Sequence, residues 1–112
     1  MQYVALIWEK WDSEEDFKPD EFARYTEFAR VAGEAGVLRG GSALHPASAT
    51  STVRLRDDEV LMTDGPFVES KEQLSGYYVL ECDDLDEAIS WAARIPGARH
   101  GAIEVRPLLV GP

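Results

Sequence analysis

The feature that most constrains the fold is a short apolar run near the amino terminus, residues 3–8. Every side chain in Tyr-Val-Ala-Leu-Ile-Trp is apolar, so both faces of the strand that this run predicts are hydrophobic. Such a strand belongs in the middle of a sheet that is covered on both sides. The run is too short to span a bilayer as a helix and no basic segment precedes it.

Composition and charge narrow the classes of protein to which the chain can belong. Its 112 residues predict one domain over residues 1–112, and 45% hydrophobic residues indicate a globular chain. The formal charge of −10 disfavours nucleic acid and anionic membranes as partners. Cys82 is alone, so no internal disulfide forms, and its apolar surroundings predict a buried structural thiol. We expect a cytoplasmic protein.

Two helices are predicted from their start and stop signals. Pro19 suits the first helical position, Asp20 and Glu21 follow where the helix dipole favours anions, and Gly36 ends the helix. The apolar stripe of this helix comprises Phe22, Tyr25, Phe28, Ala29 and Ala32. A second helix begins after Asp84, which resembles an N-cap, and stops at Pro96.

The remaining segments predict strands. They cover residues 37–44, a hairpin of 51–56 and 59–63, an aromatic strand over 77–82, and residues 102–108. The resulting order is strand, helix, strand, inserted hairpin, strand, helix, strand. This order predicts an α+β, ferredoxin-like antiparallel sheet with two helices on one face and an inserted β-hairpin.

That arrangement leaves one face of the sheet without helices, although the first strand is apolar on that face as well. A second copy of the chain is the simplest cover, so we expect a homodimer with the two sheets face to face. The alternative is that the inserted hairpin folds across the bare face.

Turn chemistry, charge and aromatic residues converge in residues 63–81. In Asp64-Gly65-Pro66, glycine allows a positive φ, proline fixes its own φ, and the Asp64 carboxylate can accept hydrogen bonds from the turn. The charged residues Glu69 and Lys71 follow, and we interpret them as a salt-bridged turn that closes one end of the fold. An aromatic strand comes next.

The motif in this stretch is Asp64-Gly65-Pro66-Phe67 followed by Glu69, Lys71, Glu72, Gln73, Leu74, Gly76 and Tyr77. It resembles the signature of the DGPF-type branch of the YCII-related family, and further matches extend along nearly the whole chain. The resemblance implies a dimeric α/β barrel. Relatives with that barrel include a dehydrochlorinase and muconolactone isomerase, and some genes of the branch accompany extracytoplasmic-function sigma factors.

The chain departs from the family where catalysis has been proposed. In a better-studied branch, a His at the start of the first helix and an Asp after the second form a catalytic pair. Here the first helix offers Phe22, Ala23 and Arg24, and the end of the second is Arg94-Ile95-Pro96. That pair is therefore not carried over to this sequence.

The candidate catalytic residues are Asp64 and His45. A carboxylate on a rigid turn can act as a base, and a loop histidine titrates near neutral pH. Candidate ligand-binding residues are Tyr77, Tyr78, Arg54, Glu69 and Lys71. Tyr77 and Tyr78 face opposite sides of one strand, so one is expected in the core and the other beside a cavity. His100 is interpreted as a surface residue.

No metal-ligand spacing and no phosphate-binding glycine loop is present in the sequence, so we expect neither a metal site nor a cofactor. Two hypotheses for function follow. One is a small-molecule-binding protein, with acid–base chemistry of an isomerase or lyase type carried by Asp64 and His45. The alternative is a non-catalytic binding or regulatory module associated with sigma-factor signalling, in which the Asp64 turn is structural.

Overall fold

The computed structural model of the chain describes residues 1–109. It contains strands β1 (Gln2–Glu9), β2 (Leu38–Ala43), β3 (Ser51–Arg56), β4 (Glu59–Asp64), β5 (Gln73–Glu81) and β6 (Ala102–Pro107), and helices α1 (Pro19–Glu34) and α2 (Leu85–Ala92). One antiparallel sheet has the order β2-β5-β1-β6, and β3 and β4 form a separate hairpin. The predicted α+β, ferredoxin-like fold is confirmed.

The core lies between the four-stranded sheet and the helices. Alternate side chains of β1, namely Tyr3, Ala5 and Ile7, are buried together with Leu80 and Ile95. The opposite face of β1 is only half-buried within a single chain. The central strand predicted from the apolar run is therefore present, and one of its two apolar faces is incompletely covered.

Helix α1 has the predicted boundaries because local signals act at both ends. Pro19 occupies the first turn, and Gly36 follows the helix with a φ of 75°, the left-handed conformation that glycine adopts at least cost. Phe28 and Ala32 are buried against the sheet, whereas Phe22 is 58% exposed. The first turns of α1 thus stand away from the sheet and leave space beneath them.

The hairpin of β3 and β4 differs from expectation in its burial. Its turn places Asp57 and Asp58 at φ values of 49° and 62°, which suits a two-residue hairpin turn. The alternating sequence predicts one buried face, but Val53, Val60 and Met62 are 63%, 67% and 66% exposed. The hairpin is therefore not packed over the sheet, and the alternative cover for the bare face is not observed in the single chain.

The hairpin ends in the turn at Gly65, whose φ is 99°. The Gly65 N–H donates to the Thr50 carbonyl at 2.7 Å, and the Thr52 hydroxyl donates to the Gly65 carbonyl at 2.8 Å. Hydrogen bonds of the Gly65 backbone therefore fix this turn.

Replacing Gly65 with Ala is expected to lower the free energy of unfolding by about 1 kcal/mol, because an L-residue is strained at this φ. Replacing Asp64 with Asn retains an acceptor and is expected to have a smaller effect. Urea unfolding of both variants measures the difference. Equal midpoints would show that the conformation of Gly65 does not matter for stability.

Candidate functional site

A cavity lies between the sheet and the first turns of α1. Its volume is about 680 Å³, within the range of small-molecule sites. Six aromatic residues belong to its lining: Trp11, Phe17, Phe22, Tyr25, Tyr77 and Tyr78. Polar side chains lie along one side, and they include Glu9, Glu21 and His100.

Two carboxylates and an imidazole meet on the wall of this cavity. Nε2 of His100 lies 4.0 Å from Oε1 of Glu9 and 3.9 Å from Oε1 of Glu21. The side chains of Glu9 and Glu21 are only 14% and 17% exposed, whereas that of His100 is 51% exposed. The imidazole is therefore open to a ligand, and the carboxylates beside it are largely shielded from solvent.

Glu9 is held in place by a tyrosine. The Tyr25 hydroxyl donates a hydrogen bond of 2.8 Å to Oε2 of Glu9. Burial, and then the Glu9 carboxylate, raise the pKa of Tyr25 well above its usual value, so this hydroxyl remains protonated and continues to donate. Gly97 leaves the space for this contact, since a Cβ there would lie 2.5 Å from the Tyr25 hydroxyl and 2.6 Å from Oε2 of Glu9.

The two oxygens of Glu21 have different surroundings. Oε2 lies 3.4 Å from Nη1 of Arg24 on the next turn of α1. Oε1, which faces His100, is buried and has no hydrogen-bond partner among the described residues. A buried carboxylate oxygen without a donor is costly to maintain, so Oε1 is available to accept a proton or a hydrogen bond from a ligand.

The topology explains why residues so distant in sequence meet here. Strands β1 and β6 are antiparallel neighbours with Trp8 paired to Ala102. The end of β1, with Glu9, therefore lies beside the start of β6, which His100 precedes. Glu21 and Tyr25 are separated by four positions on α1 and therefore share one helix face. The end of these two strands and this helix face together form the cluster of Glu9, Glu21, Tyr25 and His100.

The structure places the two predicted catalytic residues outside the cavity lining. Asp64 is exposed at the end of β4. The side chain of His45 is 87% exposed, and its Nδ1 lies 3.9 Å from Oε1 of Glu14, itself an exposed residue. Their catalytic role stays a prediction from the sequence, and the cavity favours a different set of groups.

The predicted ligand-binding residues divide into two groups. Tyr77 and Tyr78 both line the cavity. Tyr78 is half-buried and packs on Phe28 with ring centroids 5.1 Å apart, whereas Tyr77 is 36% exposed. Arg54, Glu69 and Lys71 are exposed and do not belong to the cavity lining; the Arg54 guanidinium lies 4.8 Å from the ring centroid of Phe67.

The sequence pattern does not identify four functional candidates: Glu9, Glu21, Tyr25 and His100. It indicates only a helix-dipole partner at Glu21, a core residue at Tyr25 and a surface residue at His100. The family's pair, a His at the start of the first helix and an acid after the second, is absent as such. The structure instead places an acid, Glu21, at the start of α1 and a histidine, His100, beyond α2.

Other chemistry finds no support in the described residues. Cys82 is buried as predicted, and burial raises the pKa of its thiol to about 11, which disfavours a nucleophilic role. Within residues 1–109 no group of His, Cys, Asp and Glu side chains is arranged to hold a metal ion. None of the helices in that range has the length and hydrophobicity needed to cross a membrane.

Comparisons with known proteins give a family and a fold. The family model of the YCII-related domain matches residues 1–110. An uncharacterised protein of Rhizobium meliloti (strain 1021) is 39% identical over 100 residues, which are 88% of this chain and 79% of that protein. A solved structure of 5-chloro-2-hydroxyhydroquinone dehydrochlorinase from Burkholderia phenoliruptrix AC1100, in complex with 2,5-dihydroxybenzoquinone, superposes with a TM-score of 0.54. It shares 13% identity and covers 99% of this chain and 96% of its own, a likeness of fold alone.

Proposed function

Because this chain belongs to the YCII-related family, we propose that it binds a small organic molecule in the sheet–helix cavity and performs acid–base chemistry on it. The observation that carries this proposal is the position of His100, whose imidazole lies within 4.0 Å of both Glu9 and Glu21 on the cavity wall. The reaction class is proton transfer of an isomerase or lyase type. The dehydrochlorinase of similar fold supports the class of small-molecule enzyme and no more.

The three groups have separate roles in this proposal. His100 is the group that exchanges a proton with the ligand, since it is the most exposed of the three and histidine is the side chain suited to proton exchange near neutral pH. Glu21 stabilises the imidazolium that forms, and Glu9 orients the imidazole while Tyr25 restrains Glu9. Distances of 3.9 and 4.0 Å are longer than hydrogen bonds, a common state of catalytic groups before a ligand is present.

The lining also restricts the ligand. Aromatic walls favour a flat, largely apolar body, and shielded carboxylates beside His100 repel an anionic reacting group. A neutral compound with an acidic O–H or C–H bond suits the site, because the negative charge that it gains on giving a proton to His100 is balanced by the imidazolium formed in the same step. Anionic analogues are expected to bind more weakly.

The experiment that tests the proposal is a thermal-shift screen with neutral hydroxylated aromatic compounds and their carboxylated analogues. A ligand that binds only the folded state raises the melting temperature. We expect shifts from the neutral members, reduced in a Phe22→Ala variant that shortens the cavity wall. A library without any hit, or one whose hits are unaffected by Phe22→Ala, would count against the cavity as the ligand site.

We further infer that the protein is a homodimer. The helix-free face of β1, with Val4, Leu6 and Trp8, is apolar and only half-buried in one chain, and a second copy would complete its burial. Light scattering at micromolar concentration is expected to give twice the chain mass of 12.4 kDa. A mass of one chain under those conditions would refute this inference.

A further inference from the structure

A second groove lies between α1 and the turn that follows α2, and three arginines line it. Arg24 projects from α1, whereas Arg94 precedes the 3₁₀ turn Pro96–Arg99 and Arg99 is its last residue. The volume of the groove is about 390 Å³, and its other lining residues are Glu27, Phe28, Val31 and Pro96. We call this surface the arginine groove. It concentrates positive charge on a chain whose formal charge is −10.

The charges of the arginine groove are poorly compensated by the protein itself. Within residues 1–109, neither Arg94 nor Arg99 has a carboxylate oxygen within 4.0 Å. Glu27 lines the groove, but Arg30 binds its carboxylate at 2.6 Å. The guanidinium groups of Arg94 and Arg99 are therefore available to pair with an anion from outside the chain.

Arg94 is held in a position suited to binding. Its guanidinium carbon lies 4.5 Å from the ring centroid of Trp91, a stacked arrangement that leaves the N–H donors on the edge of the guanidinium free. The planar fork of an arginine matches the oxygens of a phosphate or carboxylate and forms paired, charge-assisted hydrogen bonds. Among the apolar lining residues, Val31 is partly exposed and offers a contact for the carbon body of such a ligand, whereas Phe28 and Pro96 are buried beneath the groove.

We propose that the arginine groove is a second binding site, which takes an oxyanion group of a small molecule, and that its occupancy is coupled to the cavity through Arg24 and Glu21. Arg24 belongs to the groove, and its Nη1 lies 3.4 Å from Oε2 of Glu21, which lines the cavity. An anion that binds Arg24 competes with Glu21 for the same donors. The coupling rests on the proposed function of the Glu21–His100 cluster, whereas the binding does not.

The two ligands then influence each other. When Arg24 turns to the anion, the charge of Glu21 is less compensated and acts more strongly on His100. Any such effect is reciprocal, so a cation or proton gained at His100 favours anion binding in the groove. The anion site would act as a regulator of the cavity, and the fold provides the connection within one turn of α1.

The test is an NMR titration of the full chain with inorganic phosphate, and separately with citrate, at constant ionic strength set with chloride. The arginine Nε–Hε signals of Arg94 and Arg99 are expected to shift and to saturate. Arg56, on the hairpin and outside the groove, is expected to stay unchanged. Saturation by phosphate identifies a phosphate ligand, and saturation by citrate alone identifies a carboxylate ligand.

Variants make the assignment specific. A double variant, Arg94→Gln with Arg99→Gln, is expected to weaken anion binding at least about tenfold, the factor that one charge-assisted hydrogen bond provides. The control Arg56→Gln removes a positive charge outside the groove and is expected to leave the affinity unchanged. Shifts that never saturate, or that Arg56 shares, would overturn the site as a general salt effect.

Coupling is read from the ring signals of His100 in the same titration. Phosphate or citrate is expected to move them in the natural sequence and to leave them in place in Arg24→Gln. Anion binding without any change at His100 would refute the coupling. These readouts involve no turnover. A chain that binds the anion but catalyses no reaction would therefore contradict the proposed function and leave the anion site standing.

Discussion

Replacing His100 with Gln is expected to lower kcat/KM by about 10²- to 10⁴-fold for a compound that the cavity converts, because the group that exchanges the proton is lost. The fold should tolerate the change, since the His100 side chain is half exposed. Steady-state kinetics with a hit from the ligand screen measures the effect, and an unchanged melting temperature excludes unfolding as its cause. Glu21→Gln is expected to lower kcat with a smaller effect on KM.

The chain contains a matched control for this prediction. His45 and Glu14 form a second histidine–carboxylate pair with the same 3.9 Å separation, but both are exposed and outside the cavity lining. His45→Gln and Asp64→Asn are expected to keep full activity. If His45→Gln abolished turnover while His100→Gln did not, the pair predicted from the sequence would be favoured over the cavity cluster.

Replacing Gly97 with Ala is expected to affect both stability and function. The added Cβ would lie 2.5 Å from the Tyr25 hydroxyl and 2.6 Å from Oε2 of Glu9, so the Tyr25–Glu9 hydrogen bond must break or the backbone must shift. Overpacking of this kind lowers the free energy of unfolding by about 1–3 kcal/mol. Urea unfolding measures the loss, and ligand affinity is expected to fall in the fraction that remains folded.

Gly33→Ala is the control for this substitution. Gly33 lies within α1, and apart from its adjacent residues and the backbone of the helix itself no atom lies within 4 Å of the position that a Cβ would take there. Alanine at this position is therefore expected to stabilise the helix by about 0.5–1 kcal/mol. The two variants make the same chemical change with opposite expected signs. A Gly97→Ala protein as stable as the natural sequence would show that the cluster is not tightly packed around Gly97.

The fold was predictable because its determinants are local. Pro19 and Gly36 delimit α1, and Asp57-Asp58 forms the hairpin turn. The alternation of apolar and polar residues identifies the strands. The burial of the hairpin was not predictable, since Val53 and Met62 are exposed although their pattern indicates a covered face. Alternation gives the direction of a side chain, but tertiary or quaternary contacts decide what covers it.

The site was harder to predict for a physical reason. Glu9, Glu21 and His100 come from the end of β1, the start of α1 and the loop before β6, and only the strand order brings them together. Two of them also satisfy a simpler interpretation: Glu21 suits a helix N-terminus, and His100 lies between Arg99 and Gly101 in a loop. Tyr77 and Tyr78 both belong to the cavity lining, although alternation along the strand predicts opposite sides for neighbours and so only one of them beside a cavity.

The most direct test of the central claim is the histidine ring spectrum during titration with a neutral ligand from the thermal-shift screen. The chain has two histidines, so His100→Gln assigns both sets of signals. Binding in the cavity predicts that the His100 resonances shift with the dissociation constant of the ligand while those of His45 remain in place. Shifts at His45 with an unchanged His100 would contradict the assignment of the cavity cluster as the functional site.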